Sequence, residues 1–237
     1  VEALSFVGPP QAWPPVGVPL TVITATEGPG SSGQPDLPAG DLVVPCFTPG
    51  TKIRVPGGTV PVETLVAGET VTTRDHGPRR LRWVGRVHLG PAELAQDPTL
   101  CPVRVRAGAL GQGRPVRDTL LSPQHRVLLT GWRPALLFGS DEVLAAVSHL
   151  VNGQGIDWAR DVSEVTYIHI MFDRHEIVFA NGIATESFRP GPQILPALSA
   201  GARDEVLRLF PELLDNPDPA IAPAWPMLKG WEASVLV

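Results

Sequence analysis

The sequence predicts an all-β fold of antiparallel strands followed by a short C-terminal helical extension, and three observations carry that prediction. Twenty-four glycines and 27 prolines among 237 residues punctuate the chain with turns and leave little room for long helices. Between the turns lie short runs rich in β-branched residues. Only beyond residue 188 does the apolar spacing change to a helical period.

Residues 1–41 read as a leader. "GPPQAWPPVGVP" is turn-rich, "LTVITA" is one short strand and "EGPGSSGQPDLPAG" has linker composition, so this stretch offers little material for a core. From Leu42 the texture changes to the runs "TKIRV", "TVPV", "ETVTT", "LRWVGRVHL", "PVRVRA", "HRVLLT", "TYIHIMF" and "HEIVFA". Asn181-Gly182 then leads into "IATESF" and marks a tight hairpin, because both central residues of such a turn need positive φ. The resulting division is a leader over 1–45, a β domain over 46–188 and an extension over 189–237. In the extension, Val206, Leu207, Leu209, Phe210, Leu213 and Leu214 follow the N-cap candidate Ser199 as one apolar face, which predicts an amphipathic helix. "PMLKGWEASVLV" predicts a second short one.

A chain of this length with 43% hydrophobic residues builds one sizeable core. Its net charge of -5 and pI of 5.7 give no basic footprint for nucleic acid or an anionic membrane. No apolar run approaches the roughly 18 residues that a membrane-spanning helix needs, and the compartment is not legible. Cys46 and Cys101 are too few to staple the fold as a disulfide framework. Cys101, in "TLCPVRV", reads as a packing residue, and Arg74, Asp75 and His76 read as a polar surface turn.

Cys46 stands between a proline and a turn in "VPCFTPGTKI". A thiol of ordinary pKa needs a neighbouring base or cation to act as a nucleophile. The best sequence partner is His125 in "LLSPQHRVLL", with Ser122 three residues before it to bond the turn or orient the imidazole. Taken singly, each of these is more commonly a packed residue.

Three segments taken together change the balance. "CFTPGTKIRVPGGTVPVETLVAGETVTTRD", then "SPQH" about 75 residues further on, then "YIHIMFDRHEIVFANGI", resemble the Hedgehog/intein (Hint) self-processing superfamily, especially its bacterial branch. Ser122 and His125 match the family's Thr-x-x-His motif, and "ANGI" matches the terminal intein motif. The resemblance covers 46–188 and implies a Hint-type β fold. It also implies that the Cys46 thiol attacks the Pro45 carbonyl, converting the Pro45–Cys46 peptide bond into a thioester while His125 polarises or protonates the departing nitrogen. The partner is then the chain's own N-terminal segment, with water or a small nucleophile as acceptor and no cofactor.

Departures from the pattern narrow this. Where splicing inteins end in His-Asn, this chain has Glu186 and Ser187, so cyclisation of an asparagine has no reagent and cleavage without splicing is the chemistry left. Sterol transfer in Hedgehog domains uses an aspartate late in the strand resembling "LRWVGRV", which here offers Arg82, Gly85 and Arg86. The aspartate of many inteins corresponds to Ile168, leaving His169 and Asp173 as nearby substitutes. His175 matches the histidine of the C-terminal step and is assigned an auxiliary or structural role. His169, Asp173 and His175 are expected on a solvated polar strand face rather than around a metal. Pro45 stiffens the approach to the junction, and a weak n→π* donation into its carbonyl lowers electrophilicity, so acyl transfer is expected to be slow. Two rival functions remain open: a non-cleaving binding or structural module on the same fold, and a Cys/His hydrolase acting on separate substrates.

Overall fold

The computed structural model describes residues 45–188, 203, 207–208 and 225–236. The leader through Val44 and most of the helix expected after Ser199 lie outside these residues, although Arg203, Leu207 and Arg208 are helical.

Thirteen strands run through the described residues: β1 Lys52–Val55, β2 Gly58–Pro61, β3 Thr70–Thr73, β4 Gly77–Arg80, β5 Trp83–Leu89, β6 Val103–Val105, β7 Thr119–Leu121, β8 Arg126–Thr130, β9 Glu142–Ala146, β10 Ile156–Trp158, β11 Val165–Met171, β12 Ile177–Ala180 and β13 Ile183–Glu186. Helix α1 spans Pro91–Gln96 and α2 spans Trp132–Phe138. The predicted all-β antiparallel class holds, and a short helix over Gly230–Ala233 falls inside "PMLKGWEASVLV".

One sheet has the order β2-β1-β12-β13-β8-β9, with β3 joined to β12 and β4 to β3. A second surface consists of β10-β6-β7 and the long pair β11-β5. Phe47 forms antiparallel bridges to both Leu121 of β7 and Ile168 of β11, so the residues around the junction knit these two pieces together. The inner faces close over a core that includes Phe47, Ile53, Val71, Val127, Val143, Ile168, Ile170 and Val178. Burying such side chains is the main favourable term in the folding of a chain this size.

Four strands were not anticipated. β9 has the sequence EVLAA, of helical propensity, yet it pairs beside β8 from Arg126↔Ala146 to Thr130↔Glu142 and is largely buried; tertiary pairing overrides local preference. β4 carries Pro78 and two arginines and pairs with β3 alone, the edge position that tolerates proline. β7 and β10 are three residues each, too short to show a period.

The Asn181-Gly182 turn is as predicted. Asn181 has φ 47° and Gly182 φ 85°, and β12 pairs with β13 from Ala180↔Ile183 outward. Asn181 also does what glycine there could not. Its Oδ1 accepts from the Lys52 amide at 3.0 Å and its Nδ2 donates to Thr119 Oγ1 at 2.9 Å, tying the hairpin to β1 and β7. Replacing Asn181→Ala leaves these partners unsatisfied in a buried place and is expected to lower unfolding free energy by about 2 kcal/mol. Urea denaturation of the two proteins measures this, and a shift within experimental error contradicts it.

Candidate functional site

Cys46 and Phe47 enter the domain between β7 and β11, with Phe47 bridged to both strands. The Phe47 amide donates to the Ile168 carbonyl at 2.9 Å and the Ile168 amide returns the bond to Phe47 at 2.8 Å. On the other side the Ser122 amide donates to the Cys46 carbonyl at 3.1 Å, and the Thr48 hydroxyl donates to Leu120 at 2.9 Å. These bonds fix the Pro45–Cys46 peptide on both flanks.

Two side chains address that peptide directly. The Cys46 amide donates to Ser122 Oγ at 2.8 Å. His169 Nδ1 lies 3.1 Å from the Pro45 carbonyl oxygen, and the Cys46 Sγ is 3.3 Å from Nδ1 and 3.6 Å from Nε2 of the same ring. A carbonyl oxygen can only accept, so the bond to Pro45 requires a proton on Nδ1 and leaves Nε2 of the neutral imidazole as a lone pair. One ring therefore donates to the carbonyl through Nδ1 and lies in contact with the thiol, its unprotonated Nε2 3.6 Å from the sulfur. A hydrogen bond also joins Ser122 to the Cys46 thiol.

His125 stands one layer back. Its Nε2 bonds Thr185 Oγ1, and the single Thr185 hydroxyl proton goes to the Arg126 carbonyl at 2.9 Å. Thr185 must then accept from His125, which makes Nε2 the protonated nitrogen and leaves Nδ1 as a lone pair without a hydrogen-bond partner. The ring packs edge-on against Phe47, with centroids 4.5 Å apart.

Burial dominates the electrostatics. It pushes the Cys46 thiol well above its ordinary value, with the Ser122 bond offsetting part of the rise. It pulls His169 down to about 4 against the opposing pull of the Pro45 carbonyl. It likewise pulls His125 down to about 4, opposed by the charge of Glu186 and by the Cys46 backbone. All three groups are neutral at pH 7.

The remaining sequence candidates separate. Asp173 is exposed and pairs with Arg82 at 3.0 Å, away from the thiol. His175 is buried, with Nε2 3.3 Å from Glu186 Oε2. The expectation of a solvated polar face is thus wrong for His169 and His175, which are 1% and 3% exposed. The physical reason is that β11 ends at Met171 and a bend at Asp173 and Arg174 breaks the alternation, while β11 itself is covered on both faces. Glu186, in the place of an intein histidine, accepts from the Arg126 amide at 3.0 Å. Burial alone would raise its carboxyl, but the bond to His175 and the charges of Arg126, His175 and His125 hold it below its ordinary value.

Cys101 is buried and forms no disulfide with Cys46; both belong to one apolar cluster. The Arg74–His76 turn lies on the surface between β3 and β4, Arg74 paired with Glu142 and His76 Nδ1 with Glu176 at 2.8 Å. Arg86 donates to the Leu65 carbonyl at 2.7 Å. Gly85 has a packing role: a Cβ there would meet the Trp83 ring at 2.1 Å, and that ring stacks on His169 at 6.0 Å between centroids. Among the described residues no cluster of metal-ligating side chains occurs, and no helix is long and apolar enough to cross a membrane.

A thiol, its own upstream carbonyl and an imidazole that meets both are thus built into one all-β domain. The family model described as the Hint domain matches residues 45–192, and the chain belongs to the Hint domain family, part of the autoprocessing superfamily that includes inteins. Among solved structures, a bacterial intein-like domain from Clostridium thermocellum is 12% identical, covering 61% of this chain and 98% of that one with a TM-score of 0.36. A DnaB intein from Synechocystis is 11% identical, covering 60% and 98% with a TM-score of 0.37. No curated protein matches the chain.

The two depressed histidines set a pH dependence of stability. Each binds a proton in the unfolded chain near pH 6.5 and in the folded one only near 4, so the unfolded state holds more protons between these values and stability falls as pH drops through that window. The loss is about 3 kcal/mol per histidine. Chemical denaturation at pH 7 and pH 4.5 is expected to show it, and His125→Gln combined with His169→Gln is expected to flatten it.

Proposed function

We propose that this Hint domain cleaves its own chain at Pro45–Cys46 through a thioester, without splicing. The observation that carries this reading is the His169 imidazole, which bonds the Pro45 carbonyl oxygen with one nitrogen and contacts the Cys46 sulfur with its ring. In the proposed step the thiol gives its proton to His169 Nε2 and the sulfur attacks the Pro45 carbonyl carbon. The Nδ1–H keeps its hydrogen bond to the oxygen as negative charge develops there, and a donor already in place needs no reorganisation. As the bond from carbon to nitrogen breaks, His169 returns the proton to the Cys46 nitrogen, which Ser122 holds. The thiol proton becomes an amine proton, so the shift has no net proton change. Holding sulfur and carbonyl on one strand replaces a bimolecular encounter. Water or a small thiol then takes the acyl group and releases residues 1–45.

Neutral His125 keeps its one proton on Nε2, turned to Thr185, so delivery is assigned to His169 rather than, as the motif implies, to His125. The role left to His125 is support of Phe47 and, when charged, of the Cys46 carbonyl. Cleavage of separate substrates is disfavoured because Cys46 is 1% exposed. A cavity of about 420 Å³ near Trp132 and Arg133 is lined by neither Cys46 nor His169.

Intact mass after incubation with dithiothreitol tests the reading. Wild type is expected to lose residues 1–45 faster with thiol, and Cys46→Ala to stay whole; two stable chains would leave the non-cleaving module ahead. Among variants, His169→Ala is expected to slow release at least ~100-fold and His125→Ala less, the reverse order contradicting the assignment. Pro45→Gly or Pro45→Ala is expected to speed release in a denaturing-gel time course, and equal or slower release counts against the proline brake.

A further inference from the structure

Immediately after β13 the chain returns to the candidate site. The Phe188 amide donates to the Ile170 carbonyl at 2.8 Å, which lays residue 188 beside β11. Its ring centroid is 5.4 Å from that of His169 and 5.7 Å from that of Trp83. Phe188 belongs to the apolar cluster of Cys46, Trp83, Leu94, Tyr167 and Met171, and Leu207, from further along the extension, packs partly buried against that cluster. The thiol thus shares one apolar cluster with Phe188, the last residue of the β domain, and with Leu207 from the extension.

We propose that Phe188, backed by Leu207, is the residue that selects the acyl acceptor at this site, admitting small neutral nucleophiles and excluding charged or bulky ones. The inference rests on the thioester reading above. An acceptor must reach the Pro45 carbonyl carbon, form its bond there as the bond from carbon to Cys46 sulfur breaks, and leave its proton with the sulfur. A charged acceptor passing an apolar wall sheds its hydration with nothing in return, whereas a small neutral one pays little. A phenyl ring against His169 also limits water, so a thioester formed behind it is protected until an acceptor that fits arrives.

Access can be measured apart from cleavage by alkylating folded protein with iodoacetamide, which is neutral, and iodoacetate, which is anionic and of similar size, with modification read at Cys46 by peptide mapping. Relative to wild type, Phe188→Ala is expected to raise the rate with iodoacetamide about 10-fold and with iodoacetate by more, as removal of a covering side chain opens a closed thiol. Leu207→Ala, at a half-buried position that is safer for folding, is expected to give a smaller rise in the same order, and Phe188→Leu to stay near wild type. Rates within twofold of wild type for both alanine variants, with circular dichroism confirming the fold, overturn the proposal, as does an equal gain for the two reagents. Parallel incubations with neutral dithiothreitol and anionic mercaptoethanesulfonate read the acceptor step. Wild type is expected to favour the neutral thiol, and Phe188→Ala to narrow the difference; an unchanged preference overturns the selection role. Faster alkylation with no release of residues 1–45 from any variant would refute the thioester reading and, with it, acceptor selection.

Discussion

The anchored pair Cys46–Phe47, with Phe47 bridged to both β7 and β11, is the constraint on which the rest of the candidate site depends. Its backbone bonds to Ile168 on one side and to Ser122 on the other leave the Pro45 carbonyl no freedom to turn away from His169. Because His169 stands next to Ile168 on β11, the bonds that pin Phe47 also set where the imidazole meets the oxygen. The same insertion joins β7 to β11, so the junction is both a component of the fold and the bond in question. The proposed cleavage needs no cleft, since the carbonyl it would act on belongs to the residue just before this anchored pair.

Burial gives the site its chemical temperament. A desolvated thiol holds its proton tightly and a desolvated imidazole accepts one reluctantly, so the resting pair is neutral and the ion pair that the proposed attack needs would form only as that attack proceeds. That arrangement suits a slow event that happens once per chain. The polar groups behind it keep the balance: Thr185 fixes the proton of His125 on one nitrogen, and Arg126 holds the Glu186 carboxylate. Buried polar groups are costly unless satisfied, and most of these side chains find a partner within the network. Trp83 completes the frame by stacking on His169 across a glycine that cannot accept a side chain.

Much of this was legible in the sequence. Short β-branched runs located eight strands, Asn181-Gly182 located the hairpin and with it a ninth, and the order of Cys46, Ser122 and His125 pointed to the junction and to the side chain that holds its amide. The central part of His169 was not. The family pattern points to position 168, where many inteins carry an aspartate, and that position here is an isoleucine buried in the core. A weaker signal was available: Tyr167 and Met171 flank His169 at alternate positions, which places it on an apolar strand face, but that pattern is shared by any packed histidine. The buried pairing of His175 with Glu186 was hidden because the bend after β11 resets which face each residue takes. β9 was hidden because alanine and leucine carry no strand preference until β8 supplies the pairing.

The central claim is that His169 assembles a thioester between Pro45 and Cys46 inside the folded chain. It is tested most directly by the carbon NMR spectrum of protein labelled with ¹³C at proline carbonyls, incubated at neutral pH without added thiol. The account predicts that a downfield thioester carbonyl resonance grows in for Pro45, is absent from Cys46→Ala and is strongly reduced in His169→Ala. A thioester resonance of equal intensity in His169→Ala, or release of the N-terminal segment from wild type with no such resonance when hydrolysis is slowed, would contradict it.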